Sequence, residues 1–300
     1  MKIFTIIVLM FMGILSWSQN INDSLIFYYP CNGNLFDDSG NGLNAETNGT
    51  LTEDEYGNPN SAYQLNGIDN YINIPYSSLY KVGFPATFRM RFKVNNFPEG
   101  IHASIFLNDF VPEMYFGFGV ILEVDHKIGV FYGDGGGSGP QNRRSKTMYD
   151  TISAGLWHEL VVIWHNPEDM HIYLDCQYKP GELSGTGYEV VEYSNQSAPA
   201  VVGIVDFTHS QPPTYFDGQV DEITFWSRAL QVNEIIELCN NEVIIEIDEH
   251  FSNTQTVPVK VLSVDYYDIL GRKIPKPNYG FYIERKLTDK GVITKKYNIQ

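Results

Sequence analysis

The chain has 300 residues with 36 acidic against 20 basic side chains, a formal net charge of −16 at neutral pH with histidine uncharged. That surplus repels phosphate backbones and argues against nucleic acid as a partner. Three cysteines are too few for a disulfide scaffold and lack zinc-site spacing.

Residues 1–18 read as a secretory signal. Lys2 supplies the positive start, Ile3 to Leu15 the apolar run and Ser16-Trp17-Ser18 the small-residue cleavage site. The run is too short to span a bilayer, so the remainder is expected to be exported. With 20 Tyr, 18 Phe and no long helical pattern, strands are expected to dominate. We divide the rest into a β domain at 19–240, a linker at 241–260 and a small β tail at 261–300. The tail holds eight basic residues against four acidic, whereas residues 19–260 hold eleven against thirty-two.

In chain order, SLIFYYP forms a first strand, and CNGNLFDDSGNGLNAETNG is dense in the residues that build turns. Asp37, Ser39 and Asn41 fall at alternate positions, like the oxygen-rich spacing of a calcium loop without the EF-hand pattern. The alternative is a hydrogen-bonded turn with Asp37 as its Asx residue and no metal. SAYQLNG and YINIP make two short strands joined at Asn66-Gly67-Ile68-Asp69-Asn70. ATFRMRFKV alternates, with Phe88, Met90, Phe92 and Val94 inward and Arg89, Arg91 and Lys93 outward. Those cations read as a solvated face, or alternatively as a patch for an anionic glycan.

MYFGFGVILEVDHKIGVFYG contains two strands with a turn near His126-Lys127. The Gly-rich loop at 133–146 lacks the spacing of a phosphate-binding loop and reads as a rim, with Asp134, Asn142, Arg143 and Arg144 as ligand candidates. GLWHELVVIWHN is apolar on both sides and fits an interior strand, with Trp157 and His158 structural. His102, His165, His171 and His209 show no metal-ligand spacing. Tyr188, Phe207, Tyr215 and Trp226 are candidates for a sugar-stacking platform, with core packing as the alternative. In the closing strand, a two-residue period sets Asp221 on one face with Ile223 and Phe225. A carboxylate there needs an arginine, backbone N–H groups or a divalent cation. The following SRALQVNEIIEL predicts a short helix, with Ile235 and Leu238 on one face and Glu234 at the capping-box position.

Four of these stretches, YYPCNGNLFDDSGNGLNA, EYGNPNSAYQLNGIDNYINIP, GLWHELVVIWHNPEDMHIYLD and FDGQVDEITFWSRAL with NEIIEL, occur in the order found in one family. Together they resemble the laminin G-like, concanavalin A-like jelly-roll domains of secreted bacterial proteins, over roughly residues 24–239. The resemblance implies an all-β, antiparallel β-sandwich with a short helix near its end. It implies a calcium ion associated with the D-x-S-G element and the closing-strand acid, hence Asp37, Ser39, Asn41 and Asp221. Terminal strands of a jelly roll lie side by side, so Cys31 with Cys239 is the preferred disulfide, against three buried thiols.

Retaining glucanases of this architecture use E-x-D-x-E or E-x-D-x-x-E strands, with the outer carboxylates roughly 5–5.5 Å apart. Glu123-Val124-Asp125 lacks the third acid, because Lys127 and Ile128 follow, and Glu246-Ile247-Asp248-Glu249 has its last acid one residue early. Catalysis stays undecided on these residues, with the non-catalytic reading preferred. Finally, VDYYDILGRK, the Gly-Phe-Tyr-Ile strand and the basic end at Lys295-Lys296 resemble the sorting domain of the type IX secretion system. A small accessory β module is the alternative. The expectation is a secreted or cell-surface module, stabilised by calcium, that recognises a glycan or a cell-surface partner. A glycoside hydrolase or polysaccharide lyase and a structural adhesion protein are the alternatives.

Overall fold

The computed structural model describes residues 20–137, 139–206, 212–239, 261–267, 273–276, 280–288 and 291–299. The expected signal peptide and linker, together with Phe207, His209 and residues 246–249, lie outside them. The chain forms two compact units divided between Leu230 and Gln231.

The first unit is a sandwich of two antiparallel sheets, as expected. One runs Gln177–Lys179, Asp169–Leu174, Trp157–Asn166, Ala86–Asn96, Asp217–Trp226, Ala62–Asn66, Thr50–Thr52, with Leu25–Tyr29 also paired to Asp217–Trp226. The other runs Gly181–Gly185, Arg143–Met148, Ile128–Gly133, Phe118–Leu122, Ala103–Leu107, Ala200–Val202, Ile72–Ile74, Glu46–Thr47. Alternation drives this arrangement. Phe88, Met90, Phe92 and Val94 are all buried, and they meet Leu160 and Val162 of the neighbouring strand on the core face. Across the sandwich, Phe88 stacks on Phe106 with ring centroids 4.2 Å apart, and Phe27 and Phe225 complete the aromatic cluster. Trp157–Asn166 pairs on both sides, and Val161 and Ile163 are as buried as Leu160 and Val162, so it is the interior strand its composition predicts.

The second sheet also has an apolar outer face. Leu107, Ile121, Phe131 and Val201 form a second cluster with Ile204 and Val205, and Tyr71 and Tyr215 pack against it. Ile204–Val205 and Thr214–Tyr215 form the two-stranded ribbon beside this face.

Two expectations are corrected. The closing strand does not keep a period of two, since Asp221 pairs with Arg91 but Thr224 pairs with Arg89. One extra residue is accommodated by a bulge at Glu222, whose φ of 54° lies in the left-handed region. Ile223 and Phe225 therefore point into the core while Asp221 shares the outer face with Arg91. The second correction concerns sulfur. Cys176 and Cys239 are disulfide-bonded, and Cys31 is a free, buried thiol. The Cys31 sulfur is turned inward, 3.6 Å from the Tyr29 carbonyl oxygen, where no partner cysteine reaches it.

The second unit contains the helix Val232–Cys239 and an antiparallel sheet ordered Lys273–Ile274, Val261–Tyr267, Gly280–Thr288, Gly291–Ile299. The capping-box half expected at Glu234 is present: the Gln231 N–H donates to its carboxylate at 2.7 Å.

Candidate functional site

The opening hairpin brings Asp37, Ser39 and Asn41 together, but as a self-contained turn. Asp37 Oδ1 accepts the N–H groups of Tyr28 and Ser39 at 3.1 and 3.0 Å, and Oδ2 accepts that of Leu43 at 2.9 Å. Ser39 Oγ donates to the Ile26 carbonyl, and Asn41 Nδ2 donates to the Leu25 and Ile26 carbonyls. A calcium ion requires six to eight oxygens free to face it. Here the acid accepts three backbone donors, and the other two side chains donate to the Leu25 and Ile26 carbonyls.

Asp221 lies in a different setting. Its Oδ1 accepts the Glu222 N–H at 2.8 Å. Burial, and then the adjacent Glu222 carboxylate, push its pKa up to about 7, against the pull of that N–H and of Arg91. Asp221 and the opening turn share no hydrogen-bond partner, and calcium on Asp37, Ser39, Asn41 and Asp221 stays what the resemblance implies.

The outer face around Asp221 is neither solvated nor an anion patch. Arg89 and Arg91 are 2% and 5% exposed. Glu159 bridges them, accepting from Arg89 Nε and Arg91 Nε at 2.5 Å each. Arg89 also reaches Glu222 at 2.7 Å, and Arg91 reaches Glu55 at 3.0 Å. The Tyr28 hydroxyl donates to Glu222 and closes the network. Both guanidinium groups there are matched by carboxylates, while Lys93 lies 5.5 Å from the Trp157 ring centroid.

Other expected candidates prove to be braces. Asp134 accepts the N–H groups of Gly136 and Tyr188, Arg143 lies 4.6 Å from the Tyr115 ring centroid, and Arg144 pairs with Glu168 at 2.9 Å. Asn142 accepts the Asp134 N–H at its backbone carbonyl. Trp226 is buried, with its indole N–H on the Ile21 carbonyl. Tyr188 is exposed, and its carbonyl accepts the Tyr132 hydroxyl. Burial and Asp125 raise the pKa of Glu123, while Asp125 itself pairs with Lys127. Two of the histidines set aside for want of spacing do converge, because His165 and His171 meet Asp169 across a hairpin.

A concave polar surface occurs along one rim of the sandwich. One cavity of about 400 Å³ is lined by Glu46, Thr47, Asn48, Tyr71 and Asn73. A second of about 360 Å³ is lined by Asn66, Ile68, Asn96, Phe97, Glu99, Tyr215 and Asp217 among others. Tyr71 lines the first and Tyr215 the second. Both rings pack on the second apolar cluster, and the Tyr215 pKa is raised by burial and then by neighbouring Tyr71 and Asp69.

The polar side chains here are oriented by local bonding. Asn66 Oδ1 accepts the N–H groups of Ile68, Asp69 and Asn70. Asn48 Oδ1 accepts the Tyr71 N–H at 3.0 Å, and its Nδ2 donates to the Asp69 carbonyl. Asp217 accepts from Asn95 and Asn96 at 3.2 and 2.6 Å. Gly67 is required: it has φ of 69°, and a Cβ there would stand 2.7 Å from Asp217 Cβ. Phe97 stacks on His126 at 3.7 Å and holds the far wall.

Aromatic faces beside fixed amides and carboxylates suit a ligand with C–H faces and many hydroxyl groups. Of the expected stacking residues that are described, only Tyr215 borders this rim. Asn48, Asn66, Tyr71, Asn96, Phe97 and Asp217 were not anticipated. The one available signal was the Asn-Gly-Ile-Asp-Asn loop, which reads equally well as a plain turn.

Residues 66–236 match the profile of a family described as Laminin_G_3, concanavalin A-like lectin/glucanases superfamily. A search of curated proteins gave no significant match. Among solved structures, the binding domain of Paraclostridial Mosquitocidal Protein 1 is 17% identical, with a TM-score of 0.54 over 89% of this chain and 64% of that one. The binding domain of Botulinum neurotoxin DC, solved in complex with rat synaptotagmin II, is 13% identical, with a TM-score of 0.52 over 93% of this chain and 64% of that one. A structure titled for the dependence of botulinum neurotoxin type C cell entry on two ganglioside molecules is 14% identical, with a TM-score of 0.50 over 92% and 62%. At such identities the likeness is one of fold, and the chain spans less than two thirds of each of these structures.

Proposed function

The chain belongs to the concanavalin A-like lectin/glucanases superfamily, and from that premise we propose that it is an exported, non-catalytic module that binds a glycan at the Tyr71–Tyr215 rim. The observation that carries this reading is the rim itself: two cavities, each lined by a tyrosine that packs on the same apolar cluster, and edged by side-chain amides already held in place. Tyrosine rings supply rigid area for the apolar face of a sugar, and pre-oriented Asn48, Asn96 and Asp217 supply hydroxyl partners without further ordering cost. The toxins named above have partners of their own, gangliosides or synaptotagmin II. Those partners support a binding role for the fold and do not identify the ligand here.

Export rests on the secretory reading of residues 1–18 and on the disulfide-bonded Cys176 and Cys239, which suit an oxidising compartment. Among the described residues no helix is long and apolar enough to cross a membrane. We assign residues 261–300 to sorting on their resemblance, so deleting them is expected to retain the protein inside the cell. This reading does not depend on calcium, since Asp37, Ser39, Asn41 and Asp221 do not line either cavity.

A glycan array probed with the full chain tests the proposal. Binding that is lost in both Tyr71→Ala and Tyr215→Ala, with no release of reducing sugar, is the expected result. Glu99 and Asp217 line the same cavity, so hydrolysis of a bound glycan abolished by Asp217→Asn would establish the hydrolase alternative. Adhesion to cells that survives both tyrosine substitutions and glycan removal would move the function to a protein surface.

A further inference from the structure

We propose that the hairpin joining Trp157–Asn166 to Asp169–Leu174 holds a zinc(II) ion on His165, Asp169 and His171. The three donor atoms lie within 4.8 Å of one another. Donors on one zinc ion, each at about 2.0–2.2 Å, stand no more than roughly 4 Å apart, so small side-chain rotations close the set.

The convergence is built into the hairpin. Met170 and Ile172 point into the core, which sends Asp169 and His171 to the outer face. The pairs Ile163–His171 and Trp164–Met170 set a register that continues to His165 opposite Asp169, on the face that carries His171, and the shift that follows pairs Asn166 with Asp169 at the strand end. Asn166 Oδ1 accepts the Glu168 N–H at 3.0 Å and fixes the turn. His171 Nε2 and Asp169 Oδ1 are already 2.9 Å apart, and the His165 and His171 rings meet edge to face with centroids 4.6 Å apart.

The donor types choose the ion. Two imidazole nitrogens and one carboxylate suit zinc and its first-row neighbours, whereas calcium and magnesium require a shell of oxygens. The nearest cation does not compete for the donors, since Lys146 Nζ is bonded to the Met170 carbonyl and the Tyr178 hydroxyl at 2.7 and 3.1 Å. Side-chain exposures of 30% for His171 and 50% for Asp169 leave room for water at a fourth position. The site is separate from the rim formed by Tyr71 and Tyr215 and does not depend on the glycan reading.

The test is titration of the untagged full chain with zinc by calorimetry, with cobalt(II) absorption as the spectroscopic readout. One equivalent is expected to bind. His165→Ala and His171→Ala should each weaken binding by more than the ~10–100-fold typical of losing an outer-shell partner. His158→Ala, at a histidine paired with Asp175 instead, should change nothing. His171 is part-exposed and His165 shares its outer face, whereas His158 is nearly buried, so circular dichroism is recorded for each variant and only variants that show the parent spectrum are compared. Absence of binding, or binding that persists in both His165→Ala and His171→Ala, overturns the proposal.

Discussion

Asp37 and Asp221 are the same residue type, each placed next to the first strand of the same sandwich, and they are handled in opposite ways. Asp37 is only half-buried, yet it accepts three backbone N–H bonds. Asp221 is 7% exposed and accepts one, with Glu222 beside it. The difference teaches that an acid sunk in the sheet with one donor and a like charge beside it is pushed toward its protonated form, burial being the larger cause, whereas an acid at the edge is tied down by the turn around it. The opening turn carries its own donors because its residues are consecutive in the chain. The bulged strand depends on guanidinium groups delivered from a neighbouring strand, so it is the more vulnerable of the two regions.

The largest effect should come from breaking that delivery. Glu159 neutralises both buried arginines, and Glu159→Ala leaves two guanidinium groups without their bridge, at an expected cost of about 3–5 kcal/mol by urea denaturation. A loss no larger than that of an exposed ion pair would show that water already reaches the network. Next comes the opening turn. Asp37→Ala orphans three N–H groups at the edge of the sandwich and should cost roughly 1–3 kcal/mol, since water can replace part of what is lost. If it equals or exceeds Glu159→Ala, the ranking of the two regions is reversed.

Asp221 gives a smaller effect that is diagnostic through pH. The folded chain keeps its proton up to about pH 7, while an unfolded aspartate releases it near its ordinary value of 3.8. The folded state therefore binds more protons across that window, and stability falls as pH rises through it. The contribution is full below about pH 4 and is lost as pH passes 7. Asp221→Asn removes this part of the slope: melting curves of variant and parent should agree near pH 4 and separate toward pH 8, with the variant the more stable. Parallel curves would place Asp221 in an ordinary environment. The smallest effect is expected from calcium, whose addition to EGTA-treated protein should leave the melting temperature unchanged. A rise that Asp37→Ala abolishes would restore the ion at the opening turn.

Legibility from sequence divides along similar lines. The strand Ala86–Asn96 was readable because its inward residues repeat every two positions and nothing interrupts the repeat. Trp157–Asn166 was readable as interior because it is apolar on both sides. Glu234 was placed as a cap because capping is settled within three residues. The rim was not readable, since asparagine and aspartate in a loop look alike whether they tie the backbone or face a ligand. Only Tyr215 was among the expected residues. The pairing of His165 with His171 was hidden because a six-residue separation has no meaning until a hairpin folds it back.

By itself, the amino-acid order determined the class of fold and the faces of the regular strands, because burial of apolar side chains at a period of two leaves little choice. Tertiary structure decided the rest. The bulge at Glu222 turned Asp221 away from the core, the matched charges on Arg89 and Arg91 closed a face that looked solvated, and chain crossings brought Tyr71 beside Tyr215. Each of these depends on residues far apart in sequence meeting at distances of a few ångströms, which local pattern does not encode.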